Sequence, residues 1–203
     1  SDLQKGRRRT SFSSRPRCTF ARARPSQPLV LLDWDDTILP TTDLAEAEKA
    51  GASLPEEELR QYGDLVADTL RKLQHGRVVV VTNATDGWID ATCAKHLPQV
   101  LPFLKQFEVV SARATFEPLG FGQKEWKRQM FAQQLRQHID QGGERSVLSI
   151  GDASFEREAV IRVAPQFDCI AKSVKLLEKP GLAMLHAQHV MLQPQLEELV
   201  TST

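Results

Sequence analysis

The chain has 203 residues, 41% of them hydrophobic, with 26 Lys and Arg balanced by 26 Asp and Glu. That length supports one domain of ordinary size with a real core, and no apolar run approaches the roughly 18 residues of a bilayer-spanning helix. The neutrality is uneven: residues 1–27 carry eight basic residues against Asp2, leaving 18 basic and 25 acidic residues for the rest.

The tail holds Arg7, Arg8, Arg9, Arg15, Arg17, Arg22 and Arg24 among Ser and Pro. It has no apolar periodicity, so 1–27 reads as a disordered basic tail. A linker, an organelle transit peptide, a nuclear signal and an electrostatic docking segment all remain open for it. With no initiator Met, whether the chain is a piece of a longer protein also stays open. Three widely spaced cysteines, Cys18, Cys93 and Cys169, give neither a disulfide framework nor a zinc site. An intracellular, reducing compartment, cytoplasmic by default, is the expectation. Cys93 and Cys169 sit in apolar surroundings, as core fillers do.

Residues 28–203 read as the folded domain. Leu29-Val30-Leu31-Leu32 is an apolar run ending in Asp33, with Asp35 and Asp36 close behind. Such a run predicts a strand buried on both faces of a parallel sheet, and ligands of such sheets sit outside the carboxyl ends of strands. Side chains alternate along a strand, so Asp33 and Asp35 point the same way. A divalent cation relieves their repulsion, and hard cations take oxygen ligands. The chemistry this suggests is a Mg²⁺ site with one nucleophilic carboxylate and a second carboxyl for proton transfer. Asp36 reads as a solvated extra charge.

A loop with one helical turn near 44–50 follows, then a helix over 55–75. Pro55 and Glu56, Glu57 and Glu58 suit its start, and Leu59, Tyr62, Val66, Leu70 and Leu73 form its apolar stripe. Gly76 serves as its stop signal. Val78–Asn83 is a β-branched second strand ending in polar residues. A short helix over 86–96 packs through Trp88, Ile89 and Ala91, and Pro102 interrupts the next segment. Phe107–Ser111 is a third strand. Arg113 follows near the sheet's carboxyl edge, either as a phosphate contact or as an exposed loop residue.

Residues 114–123 read as a loop. A helix over 123–141 has the stripe Trp126 or Lys127, Met130, Phe131, Leu135, His138 and Ile139. Ser146–Asp152 is the fourth strand, and Gly151 is read as allowing a sharp turn. A helix over 155–164, a strand within 167–176 and one or two helices over 182–199 complete the domain. His186 and His189 are spaced three apart, but without a third ligand nearby they read as packing.

Four of these segments together carry a resemblance. LVLLDWDDT resembles the first signature of the haloacid-dehalogenase (HAD) phosphatase superfamily, and Thr82 at the end of the second strand resembles the second. A lysine early in the 123–141 helix resembles the third. Lys124 and Lys127 both qualify, and Lys127 is preferred because Phe131 follows it by four residues. Gly151-Asp152 with Glu156 four residues after the Asp resembles the fourth, although the family more often has Asp in that last place.

The resemblance implies a set of roles. Asp33 is the nucleophile and forms an aspartyl-phosphate, and Asp35 is the acid and then the base. Thr82, Asn83 and Lys127 bind the phosphoryl group. Mg²⁺ is held by Asp33, Asp152 and the main-chain carbonyl of Asp35, with Glu156 as a further ligand or as the hydrogen-bond partner of one. The fold implied is α/β: a Rossmann-like three-layer α/β/α sandwich with a parallel five-stranded sheet in the order 3-2-1-4-5.

The gaps between signatures leave no room for a sizeable cap domain. Capless members resemble protein and nucleic-acid-end phosphatases, which points to a phosphoprotein or other bulky phosphomonoester as substrate. A catalytically silent HAD-fold interaction module and a phosphotransferase are the alternatives. Nothing in the sequence establishes a nucleic-acid or membrane partner, and the oligomeric state stays open.

Overall fold

The computed structural model describes residues 27–202. The basic tail expected to be disordered falls outside them. Five strands, β1 (Leu29–Asp33), β2 (Arg77–Thr82), β3 (Glu108–Ser111), β4 (Ser146–Gly151) and β5 (Ile170–Lys175), form one all-parallel sheet in the order β3-β2-β1-β4-β5. β1 is central, paired with β2 and β4, and all five of its residues are buried. This is why its sequence is continuously apolar rather than alternating.

Helices cover both faces, as a three-layer α/β fold requires. α1 (Thr41–Lys49) and α2 (Glu56–Leu73) lie between β1 and β2, and α3 (Trp88–His96) and α4 (Leu101–Leu104) between β2 and β3. α5 (Ala112–Phe116) and α6 (Gln123–Asp140) lead to β4, and α7 (Ser154–Val163) to β5. α8 (Leu182–Leu192) and α9 (Leu196–Thr201) close the chain. No additional sheet interrupts this order among the described residues. No helix of the described residues is long and apolar enough to cross a membrane.

Strand parity sorts the core into two halves. Val30, Leu32, Val78, Val80, Leu148 and Ile150 face a cluster with Tyr62, Val66 and Leu70 of α2 and Leu185 of α8. Leu29, Leu31, Val79, Val81 and Val147 face Met130, Phe131 and Leu135 of α6 and Val160 of α7. Asp33 continues the parity of Leu29 and Leu31, so it points toward the α6 side.

Several local expectations change. The turn expected near 44–50 is a full helix starting at Thr41, and the loop expected over 114–123 contains the end of α5 and a 3₁₀ turn at Glu117–Leu119. In both places a side chain outside the helix satisfies a first-turn N–H, which apolar periodicity does not register. Ser111 Oγ accepts from Ala114 N–H at 2.9 Å, and Asp36 accepts from Thr42 N–H at 2.8 Å. Asp36 is therefore buried and bonded, not a solvated charge; its Oδ2 also accepts the Thr42 hydroxyl at 2.6 Å.

α2 ends at Leu73, before Gly76. Gly76 is instead a point of close approach, where a Cβ would lie 2.9 Å from Pro28 O.

Candidate active site

The carboxyl ends of β1, β2 and β4 meet above the sheet, and four charged side chains gather there. Asp33, Lys127, Asp152 and Glu156 are 5%, 3%, 9% and 2% exposed. Lys127 enters from the first turns of α6, and its Nζ donates to Asp33 Oδ1 and, at 2.5 Å, to Glu156 Oε1. Lys124 is exposed. Of the two lysines open in the sequence, Lys127 is thus the one at the cluster.

Each carboxylate is further constrained. Thr37 Oγ1 donates to Asp33 Oδ2 at 3.1 Å, and Ala153 N–H donates to Glu156 Oε2 at 2.9 Å. Both oxygens of Glu156 are therefore engaged. Gly151 makes this packing possible: a Cβ there would lie 2.2 Å from Glu156 Oε2. Its φ is not positive, so the expected role in a sharp turn gives way to one of space for the Glu156 carboxyl.

Asp33, Asp152 and Glu156 each offer an oxygen, and these oxygens lie within 4.8 Å of one another. Oxygens bound to one Mg²⁺ at about 2.1 Å lie about 3–4 Å apart, and hard oxygen donors are what Mg²⁺ prefers. The donor chemistry is that of a hard divalent cation, with Asp33 and Asp152 the carboxylates left to ligate it once Glu156 is engaged by Lys127 and Ala153. Three buried carboxylates against one ammonium also leave two negative charges to balance, the charge of a divalent cation.

The electrostatics record that crowding. Burial pushes the Asp33 carboxyl up to about 7, against the pull of Lys127 and with help from Glu156 and Asp35. Burial and the charge of Asp33 push Asp152 up to about 6. Lys127 is held charged above its ordinary range because the attraction of Asp33 and Glu156 outweighs the cost of burial.

Asp35 has different company. Its Oδ1 accepts from Thr41 Oγ1 and from the Trp88 indole N–H, both at 2.8 Å, and its Oδ2 accepts from Thr82 Oγ1 at 2.9 Å. Thr82 in turn accepts from Ala84 N–H at 2.9 Å. Asn83 is half-buried, and its Oδ1 has no hydrogen-bond partner among the described residues. Asp33, Asp35, Asn83, Lys127, Asp152 and Glu156 line one open cleft of about 390 Å³.

Thr41 and Trp88 had no assigned role from sequence. Trp88 packs as expected from helical spacing, but the direction of its N–H leaves no periodic trace. Thr41 stands six residues beyond Asp35 and carries no motif. Arg113 does not join the site: it pairs with Glu117 at 2.9 Å and lies over the Trp126 ring.

The two closing-helix histidines carry no ligand pair. His189 is buried, with Nε2 2.9 Å from Thr37 O and Nδ1 3.2 Å from Thr69 Oγ1. The carbonyl requires Nε2 to carry the proton, so in the neutral ring Nδ1 is an acceptor facing the Thr69 hydroxyl, whose one hydrogen also has Leu65 O within reach at 3.1 Å. α8 and α2 thereby brace the turn that aims Thr37 at Asp33. Comparisons with protein-family models, with curated proteins and with solved structures find no match.

Proposed function

We propose that this chain is a Mg²⁺-dependent phosphatase of the HAD type, hydrolysing a phosphomonoester through an aspartyl-phosphate on Asp33. The observation that carries the reading is the placement of Lys127 Nζ between Asp33 and Glu156, with an Asp152 carboxylate oxygen within 4.8 Å of an oxygen of each. One strand tip supplies the nucleophile, a second the ligand and a helix the compensating charge, as phosphoryl transfer requires.

Asp33 and Asp152 would hold the ion, together with the main-chain carbonyl of Asp35. A bound Mg²⁺ would neutralise charge on the transferring group and keep Asp33 ionised. Glu156 fixes Lys127, and Lys127 holds a phosphoryl oxygen. Thr82 has one hydroxyl hydrogen, now given to Asp35. Phosphoryl binding takes that hydrogen over and frees Asp35 for the leaving oxygen.

An Asp33 oxygen then bonds to phosphorus while the bond to the leaving oxygen breaks. Asp35, which enters this step protonated and regains its proton from water in the second half, protonates that oxygen. In the second half Asp35 removes a proton from water. The water oxygen bonds to phosphorus, and the bond to Asp33 breaks. Asn83 lines the same cleft, and its Nδ2 amide would donate to a phosphoryl oxygen.

The absence of a cap-like insertion supports a bulky substrate, a phosphoprotein among them. The two described cysteines are free, which suits a reducing, intracellular compartment. Turnover of p-nitrophenyl phosphate with and without Mg²⁺ tests the reading. Hydrolysis that requires both Mg²⁺ and Asp33 supports it; none from the intact protein favours a silent interaction module. Transfer to an added alcohol in preference to water marks a phosphotransferase.

A further inference from the structure

Beside the charged cleft runs a second, larger hollow of about 770 Å³ between α1, the start of α2 and α3. Its wall includes Leu39, Leu44, Leu54, Leu59, Trp88 and Ala91. Leu44, Leu54, Leu59 and Trp88 are partly buried, packed on the core from one side only. The volume falls in the range of pockets that enclose a small ligand.

The hollow and the cleft share no lining residue, and Asp35 with its two Oδ1 partners stands between them. Asp35 lines the cleft, and both groups that bond its Oδ1, the Thr41 hydroxyl and the Trp88 indole, line the hollow. A phosphate seated over Asp33 presents its leaving oxygen to Asp35. Whatever is attached to that oxygen leaves the charged cleft beside Thr41 and Trp88, and the surface it meets is mainly apolar, with Glu48, Glu56, Lys95 and His96 also lining the hollow. A sugar or polyol would lose hydrogen bonds to water against the leucines without recovering them. An aliphatic or aromatic body would gain from burial.

We propose that this hollow is the leaving-group subsite, and that the substrate is an amphiphilic monophosphate whose phosphate oxygen is bonded to an alkyl or aryl body. The inference rests on the phosphatase reading and narrows it, since sequence alone left the substrate class at bulky phosphomonoesters.

Binding and turnover along an alkyl series test it, because lengthening an alkyl chain adds area while barely changing the basicity of the alkoxide released. The first readout is the affinity of methyl-, propyl- and hexylphosphonate with Mg²⁺ present, followed by calorimetry. The second is kcat/KM for ethyl, butyl and hexyl phosphate. The expected gain is about threefold to fourfold per methylene until the hollow is filled.

Ala91 is exposed on α3 and lines the hollow, so Ala91→Phe fills it and should flatten the series. Ala94→Phe, on an exposed position of the same helix that does not line the hollow, should leave the slope intact. Equal affinity across the phosphonates, with Asp33-dependent turnover retained, overturns the subsite alone. A slope in binding without turnover supports an amphiphile-binding hollow and overturns the phosphatase reading together with the leaving-group role. No phosphonate binding and no turnover overturn both. A polar phosphoserine peptide that binds more tightly than hexylphosphonate overturns the amphiphile in favour of a protein surface.

Discussion

Asp33 and Asp35 stand two residues apart at the tip of one strand, and the chain builds opposite surroundings for them. Asp33 is buried among two further carboxylates and an ammonium, and its carboxyl is pushed up to about 7 chiefly by burial. Asp35 is half-exposed and held by a threonine hydroxyl from each side and an indole N–H. On the proposed reading the D-x-D element divides two tasks: Asp33, among the other carboxylates and the ammonium, takes the cation and the nucleophilic role, and Asp35, held by hydroxyls that a bound phosphoryl group can draw away, takes the proton transfer. The first environment comes from α6, β4 and α7, the second from α1, β2 and α3.

Breaking one side at a time separates the two roles. The largest effect is expected from Asp33→Asn, which removes the nucleophile and should lower kcat on p-nitrophenyl phosphate by about 10⁴-fold or more. Asp35→Asn should lower kcat by about 10²–10⁴-fold, with the loss greatest for substrates that release a basic alkoxide. Equal losses for aryl and alkyl phosphates would contradict a proton-transfer role. Lys127→Met leaves Asp33 and Glu156 without their buried partner. It should cost about 3–5 kcal/mol in urea unfolding of the metal-free protein. A cost under about 1 kcal/mol would mean that the cluster is solvated.

The pH dependence sharpens the same contrast. Asp33 and Asp152 are raised to about 7 and about 6, above an ordinary 3.8, so the metal-free fold holds protons that the unfolded chain has released. Their contribution to stability is fully present below about pH 4 and is lost as pH rises through 6 and 7. Mg²⁺ binds the ionised forms, so the rise in Tm it causes should be small at pH 5 and reach several degrees at pH 8. Comparing Tm with Mg²⁺ and with a chelator at both pH values measures this. His189 acts in the opposite sense. Burial holds it down to about 4, so its contribution is complete above about pH 6.5 and fades toward pH 4. His189→Gln separates the two.

The strands were legible because β1, β2 and β4 are buried on both faces: β1 and β2 read as unbroken apolar runs, and β4 as one interrupted only by Ser149. Their polar ends then marked Asp33, Thr82 and Asp152. Lys127 was harder to see: it sits on the apolar stripe of α6 beside Trp126, and only the third dimension explains a charge there. Thr41 and Trp88 were not legible, because a hydroxyl and an indole recruited from two different helices leave no spacing in the chain. Asp36 was misread because a carboxylate that caps a helix six residues on looks the same as a solvated one.

The central claim is that Asp33 and Asp152 share one cation while Asp35 contributes no side-chain ligand. Calorimetric titration of the metal-free protein with Mg²⁺ at pH 8 tests it most directly. One ion per chain should bind to the wild type, binding should vanish in Asp152→Asn, and it should persist in Asp35→Asn, which keeps the main-chain carbonyl. Undiminished binding in Asp152→Asn, or its loss in Asp35→Asn alone, would contradict the claim.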